Sequence, residues 1–331
     1  MSNQTNELAN RWPRRKILQW GLGATLGSIG LAYGWHSIGR RSSMVPIMPG
    51  MTGESANSGF DPVKYLRSFD YGTVTQENGR TVREFRLEAR TSTVMLNKST
   101  SFITWNLNGQ VPAPTLRAKE GDRIRVIFYN KAGHAHSLHF HGVHPAAMDG
   151  IKPVKHSKVF IYEFDAEPFG VHPYHCHIEP VTRHIGKGLY GMLIVDPPTL
   201  RPPADEMVLI MGGYDLNDDQ KNELFAFNGL PDYYMHHPIP IRQNQLVRLY
   251  VQNMIEFDPV ATFHLHANMF QVYPTGRTLV PAFESDVITM GTAERHILEF
   301  SFKYPGQYMF HPHQDYLAQA GCMGFFEVLA T

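Results

Sequence analysis

From about residue 80 onward the chain is built of short alternating apolar runs broken by Gly, Pro and Asn; 83–89, 123–129, 159–164 and 189–195 are examples. In a strand, successive side chains point to opposite faces, so a two-residue period marks a sheet with one buried face. Many such runs with turn residues between them predict a β-sandwich or barrel, and no long stretch keeps a helical period. The pattern then repeats itself: RIRVIFYN at 123–130 is echoed by LVRLYVQN at 246–253. Each is followed by a His-x-His, at 139/141 and at 264/266. Each copy carries a second His-x-His, at 175/177 and at 311/313, ahead of a Gly-rich apolar closing strand. Two copies of one fold explain this. The boundary is expected where Pro197, Pro198, Pro202 and Pro203 cluster. A chain of 331 residues also fits two domains at ~100–200 residues each.

The first 41 residues follow a different pattern. They hold six basic residues (Arg11, Arg14, Arg15, Lys16, Arg40 and Arg41) against the single acid Glu7. The Arg14–Arg15 pair precedes an apolar, Gly-rich run to about Trp35, which resembles a twin-arginine export signal. The run is also long enough to anchor the chain in a bilayer if it is not cleaved. Residues 1–41 are therefore expected to direct the protein to the periplasm. Gly21, Gly23 and Gly27 mimic a dinucleotide fingerprint, but no strand precedes them and the spacing is wrong. Residues 42–79, which include Met44, Met48 and Met51, read as a linker.

Basic and acidic residues balance at 30 each, so the positive leader leaves the remainder with a net charge of −5. A mildly acidic body argues against nucleic acid as a partner. Two cysteines, Cys176 and Cys322, exclude a disulfide scaffold.

The 18 histidines carry the chemistry. On a strand, His-x-His sets two imidazoles on one face. Four such pairs at matching places in two repeats point to a metal centre of copper, zinc, iron or nickel. Cys176 lies between His175 and His177 and faces the other side of the strand, where it can meet a second metal. His136 and His184 flank it in sequence. One thiolate with two imidazoles is the ligand set of a blue-copper electron-transfer site. The short covalent path between Cys176 and its neighbours then joins a one-electron centre to a multi-metal centre.

At this point the chain resembles a two-domain multicopper oxidase of the small laccase-like kind, related to copper nitrite reductase. The resemblance rests on WNLNGQVPAPTL at 105–116, Gly121-Asp122, HSLHFHG at 136–142, HCH at 175–177, FHLH at 263–266 and HPH at 311–313. It covers roughly residues 80–331 and implies an all-β fold of two cupredoxin-like Greek-key β-sandwich domains, 80–200 and 201–331. It also implies about four coppers per chain. His136, Cys176 and His184 match the type 1 ligands, and Leu189 stands at the axial position, with Met192 as the alternative. His139 and His264 match the type 2 ligands. His141, His175, His177, His266, His311 and His313 match the type 3 pair. Asp149 matches an acid that helps deliver protons to the oxygen site.

In the second copy Ala261 and Pro312 replace the first His and the Cys, so the blue site belongs to the first copy. Cys322 stands where Leu189 stands in that copy and reads as a small buried hydrophobe. The remaining histidines, including His144, fall outside the pattern and read as structural or exposed; His134 is the alternative to His136. The implied activity is one-electron oxidation of phenols, aromatic amines or metal ions coupled to four-electron reduction of O2 to water. The implied assembly is a homotrimer with trinuclear sites at subunit interfaces. The rival readings are a copper-containing nitrite reductase and a non-enzymatic periplasmic copper or electron-transfer protein.

Overall fold

A computed structural model describes residues 61–258 and 260–330. The export signal and most of the expected linker lie outside the described residues. Among the described residues, no helix is long and apolar enough to cross a membrane.

The described chain forms two β-sandwiches. In the first, one sheet orders Phe69–Asp70, Thr115–Lys119, Tyr190–Asp196, Gly170–His175 and His139–Phe140. Its partner sheet orders Thr73–Glu77, Arg80–Met95, Arg123–Asn130 and Val159–Asp165, with Ser101–Leu107 on the long strand. The second sandwich repeats this plan. Ile239–Arg242, Gly324–Leu329, Gly306–His311 and Val260–Leu265 follow one another as their counterparts do in the first. In its other sheet Asp205–Tyr214 pairs parallel with Val247–Asn253, as Arg80–Met95 pairs with Arg123–Asn130. Strands adjacent in a sheet are mostly not adjacent in sequence, because the chain crosses repeatedly between the two sheets of each sandwich. The sequence echo 123–130/246–253 is thus one strand position occupied twice.

Alternation fills each core. In Arg123–Asn130, Ile124, Val126 and Phe128 point inward between partly exposed neighbours. Tyr190–Asp196 is buried on both faces: Leu193 and Val195 join the first core, while Tyr190, Met192 and Ile194 pack against Val208, Ile210, Tyr250 and Ile297 of the second sandwich. This shared apolar layer fixes the two sandwiches against each other. Ion pairs border it. Arg117 holds Asp196 through Nε and Nη2, at 2.8 Å each, and Glu206 at 2.6 Å. Arg248 bridges Glu299 at 2.6 Å and Glu206 at 3.0 Å.

The expected linker 42–79 is ordered in its described part. Asp61 caps the helix Pro62–Leu66, accepting from the Val63 N–H at 2.9 Å. Tyr65 and Leu66 are buried, and Phe69–Asp70 pairs with Thr115–Leu116. Segments this short show no period of their own; their place is set by the sheet edge they complete.

Arg117→Ala leaves two carboxylates facing each other across the ion-pair network. Both keep about a fifth of their surface in water, so the expected loss is about 3 kcal/mol, the lower end for a broken buried pair. Urea denaturation of the variant against the parent protein measures it.

Candidate metal centre

Three ligand-type side chains meet in the first core. His136 precedes strand His139–Phe140, Cys176 directly follows strand Gly170–His175, and His184 lies in helix Val181–Gly186; all three are buried. Cys176 Sγ lies 3.1 Å from His184 Nδ1 and 3.7 Å from His136 Nδ1, and the two Nδ1 atoms are 3.1 Å apart. The backbone sets this. His136 and Val154 exchange N–H···O bonds of 3.2 and 2.9 Å, the Cys176 N–H donates to the Leu189 carbonyl, and the Leu189 N–H donates to the His184 carbonyl. The Ser137 N–H reaches Cys176 Sγ at 3.5 Å.

Burial pushes the His136 imidazole down to about 3 and the His184 imidazole down to about 4. Both rings are therefore neutral and turn a nitrogen toward the sulfur. Burial pushes the Cys176 thiol up to about 11, so only a nearby cation makes it a thiolate at neutral pH. Three such donors converging in a dry core fit a soft metal ion, and their identity favours copper. Leu189 shares the Cys176 core cluster, whereas Met192 turns to the opposite face of its strand. Trp105 covers the triad, its ring 4.8 Å from that of His184 and 5.6 Å from that of His136. His134 is exposed and lies over Trp105, 4.2 Å between ring centroids; it joins no ligand group among the described residues.

The His-x-His pairs occupy matching registers in the two sandwiches. His139 sits opposite His175, and His264 sits opposite His311. His141 Nε2 lies 2.9 Å from His175 Nε2, and His266 Nε2 lies 2.9 Å from His311 Nε2. A hydrogen-bond pattern is repeated as well. The Nδ1 atoms of His139 and His264 face the carbonyls of Asp149 and Asp286 at 3.0 and 2.8 Å. Those of His175 and His311 face the carbonyls of Cys176 and Pro312 at 2.9 and 2.8 Å. A carbonyl accepts a hydrogen bond from Nδ1–H, which fixes the tautomer and leaves Nε2 with the lone pair a metal needs. Burial pushes His141 down to about 3 and His175 down to about 4.

His177 and His313 flank these groups, with ring centroids 5.1 Å from His139 and 5.5 Å from His264. Two separate ligand groups result, His139–His141–His175 and His264–His266–His311. Among the described residues no group draws on both. His266 and His313 are exposed in the single chain.

The Asp149 side chain lies 3.0 Å from His139 Nδ1. The Asp-Gly turn places it there: Gly150 has φ +80, and a Cβ at that position would overlap the Leu138 carbonyl oxygen. The sequence reading missed two neighbours. His144 Nε2 lies 3.2 Å from His139 Nδ1 and 3.4 Å from an Asp149 oxygen. Its spacing of five from His139 matches no ligand motif, and only the turn at Gly142, which has φ +74, folds it back. Asp286, against His264, is the second sandwich's counterpart of Asp149; it lies between strands Phe283–Ser285 and Val287–Gly291, 22 residues later in sequence, so no local motif marks it.

The second sandwich closes the position equivalent to the cysteine–histidine triad. The Cys322 N–H donates to the Leu317 carbonyl as the Leu189 N–H does to that of His184. This equates Leu317 with His184 and Cys322 with Leu189. Ala261, Leu317 and Cys322 all belong to one apolar core, so no ligand set remains there.

The lowered imidazoles have a consequence for the copper-free protein. Below the ordinary value of 6.5 an unfolded chain takes up protons at these positions, while the folded rings stay neutral until about 3–4. The unfolded state binds more protons in that window, so the folded copper-free protein is expected to lose stability as pH falls from about 6.5 toward about 4. Urea midpoints measured across the window check this, and a flat profile would contradict it.

Comparison with known proteins points the same way. Residues 88–200 and 201–331 each match a family model described as multicopper oxidase. A crystal structure of a multicopper oxidase superposes with a TM-score of 0.81 at 45% identity, covering 82% of this chain and 98% of that one. The copper nitrite reductase structure from Nitrosomonas europaea gives a TM-score of 0.70 at 25% identity, covering 75% of this chain and 94% of that one. The copper-containing nitrite reductase of Neisseria gonorrhoeae is 26% identical over 270 residues, 73% of this chain and 67% of that protein. With family models spanning both sandwiches, the chain belongs to the multicopper oxidase family of copper-dependent oxidoreductases.

Proposed function

We propose that the protein is a laccase-like oxidase that takes electrons singly at a type 1 copper and reduces O2 to water at a trinuclear copper cluster. The observation that carries this reading is the doubled histidine quartet. His139, His141, His175 and His177 in one sandwich are matched in register by His264, His266, His311 and His313 in the other. A mononuclear reductase site needs only part of this set. In this reading His136, Cys176 and His184 hold the type 1 copper, His139 and His264 the type 2 copper, and the other six histidines the type 3 pair.

Each bound copper would supply one-electron redox chemistry. The chain's own residues do the rest. The carbonyls of Asp149, Cys176, Asp286 and Pro312 hold four rings in one tautomer, and Asp149 keeps a carboxylate beside His139 for proton delivery. Trp105 and the surrounding core keep water from the Cys176 sulfur.

Because no ligand group among the described residues joins the two quartets, the cluster in this reading closes between subunits, the first sandwich of one against the second of the next. A head-to-tail contact of this kind closes as a ring, and the family resemblance makes that ring a trimer. The exposed His266 and His313 fit a surface that a neighbouring subunit covers. The twin-arginine-like leader supports export to the periplasm, with anchoring if it is retained.

Copper-loaded protein is expected to hold about four coppers per chain, to consume O2 with a reducing donor and to sediment as a trimer. His266→Ala should abolish O2 uptake while keeping the blue absorption, since His266 belongs to the second sandwich and to a different ligand group from Cys176. About two coppers per chain, with nitrite reduction in place of O2 uptake, would support the nitrite-reductase reading that the Neisseria relative brings forward.

Leu189 places no donor atom at the axial position. Leu189→Met adds a thioether that favours the oxidised ion, so the type 1 reduction potential is expected to fall. Redox titration of the blue band measures this; an unchanged potential would remove Leu189 from the axial position.

A further inference from the structure

His136, Cys176 and His184 are all buried, so an external donor meets the triad only through the residues that cover it. Two rings do so. Trp105, half-buried, lies 4.8 Å from His184 and 5.6 Å from His136, centroid to centroid. His134, exposed, lies 5.0 Å from His136 and 6.5 Å from His184. The two covering rings meet edge to face at 4.2 Å. The main chain holds Trp105 here: its N–H donates at 2.9 Å to the carbonyl of Lys187, the residue that ends the helix carrying His184. Aromatic surface of this kind offers an edge or a face to another ring.

The same helix brings charge to this surface. The Arg183 guanidinium lies 5.8 Å from the centre of the Trp105 ring. Its Nη2 donates to Asp218 at 2.5 Å, while Nε and Nη1 have no hydrogen-bond partner among the described residues. Asp218 also faces Lys187 at 3.5 Å, so one carboxylate serves two cations and one positive charge is left over. Lys187 is mostly covered and lies over the Phe102 ring at 4.3 Å, whereas the Arg183 side chain is half exposed. The spare charge is therefore presented at Arg183, beside Trp105. A guanidinium offers its N–H groups as a planar fork that matches a carboxylate. An aromatic wall with such a fork at its edge is complementary to one kind of small molecule, a flat ring that carries a carboxylate.

We infer that Trp105, His134 and Arg183 form the donor subsite of the type 1 centre, and that Arg183 selects phenols bearing a carboxylate. The inference rests on the oxidase reading and narrows its donor class. The donor ring packs on Trp105 and His134, and its carboxylate pairs with Arg183. Each donor gives up one electron and its phenolic proton and leaves as a phenoxyl radical; the proton goes to water, and the electron reduces the type 1 copper from Cu(II) to Cu(I). Four such donors and one O2 give four radicals and two waters.

The test uses 4-hydroxy-3-methoxybenzoate and its methyl ester, which keeps the ring and the phenol but not the charge. At neutral pH the copper-free protein is expected to bind the acid more tightly than the ester, as read by saturation-transfer NMR on the ring protons. In the copper-loaded protein under argon each donor bleaches the blue band, and the acid-to-ester rate ratio is the readout. Arg183→Gln is expected to lower that ratio about fivefold, the upper end for an exposed ion pair, and Arg183→Lys to restore part of it. Asp218→Asn, which frees Arg183 from its competing carboxylate, should raise the ratio. The opposite signs separate recognition from a structural clasp, because breaking a clasp from either side would move both variants the same way. Equal ratios in the parent, Arg183→Gln and Asp218→Asn, or a fall in both variants, would overturn the subsite while leaving the oxidase reading in place. A blue band that bleaches normally with no O2 uptake when air is readmitted would overturn the oxidase reading instead, and binding of the acid to the copper-free variants would then decide the subsite on its own.

Discussion

The antiparallel pairing of His139 with His175 is the contact on which the rest of the site depends. Two neighbouring strands in this register put His139, His141 and His175 on one face. The same alternation sends Cys176 to the other side, into the first core. A slip of one residue would exchange the two sets and leave a thiol in solvent and imidazoles in the core. What holds the register is apolar. Phe140 stacks on Tyr174 with centroids 5.3 Å apart, and the closing strand Tyr190–Asp196 pairs with Gly170–His175 along its length while burying both of its own faces. The geometry of the ligands is therefore set by packing before any metal arrives.

That preorganisation has an electrostatic cost. The fold brings imidazoles within about 3 Å of one another, nitrogen facing nitrogen, at four places. Hydrogen bonds satisfy such facing pairs only in part, and burial opposes the protonation that would otherwise relieve them. Carbonyls behind His139, His175, His264 and His311 keep each ring in the tautomer a metal needs. The interior thus excludes protons from sites at which a softer cation is welcome. The same desolvation raises the Cys176 thiol, so that thiolate formation and metal binding become a single event.

The two sandwiches are one plan put to different uses. Both keep the strand order and the paired registers that present His-x-His. Only the first keeps a cysteine and two histidines behind them. In the second, Ala261, Pro312, Leu317 and Cys322 fill the equivalent space, and three of the four join an apolar core. Cys322 is thus a packing residue, buried and held in its thiol form. Filling the site with core side chains removes a competing metal position. The histidine quartet, by contrast, is present in both copies.

Much of this was legible in the residues alone. Two-residue alternation and turn chemistry marked the strands, the echo of 123–130 at 246–253 marked the repeat, and His-x-His with a central Cys determined which side chains face together. These are local properties: alternation follows from the stereochemistry of an extended chain and needs no partner to be read. The helix and strands at 62–77 were not legible, because elements so short are stabilised by the edge they complete rather than by a period of their own. Neither were the carbonyls that set the tautomers, the approach of His144 to His139 and of Asp286 to His264, or the outward turn of Met192 into the layer between the sandwiches. Each depends on contacts between segments distant in sequence or on the course of one particular turn. The sequence by itself determined the donor atoms and their order along the strands. Only the tertiary structure decided which donors meet and which nitrogen each ring presents, because burial and long-range pairing exist only once the sheets have packed.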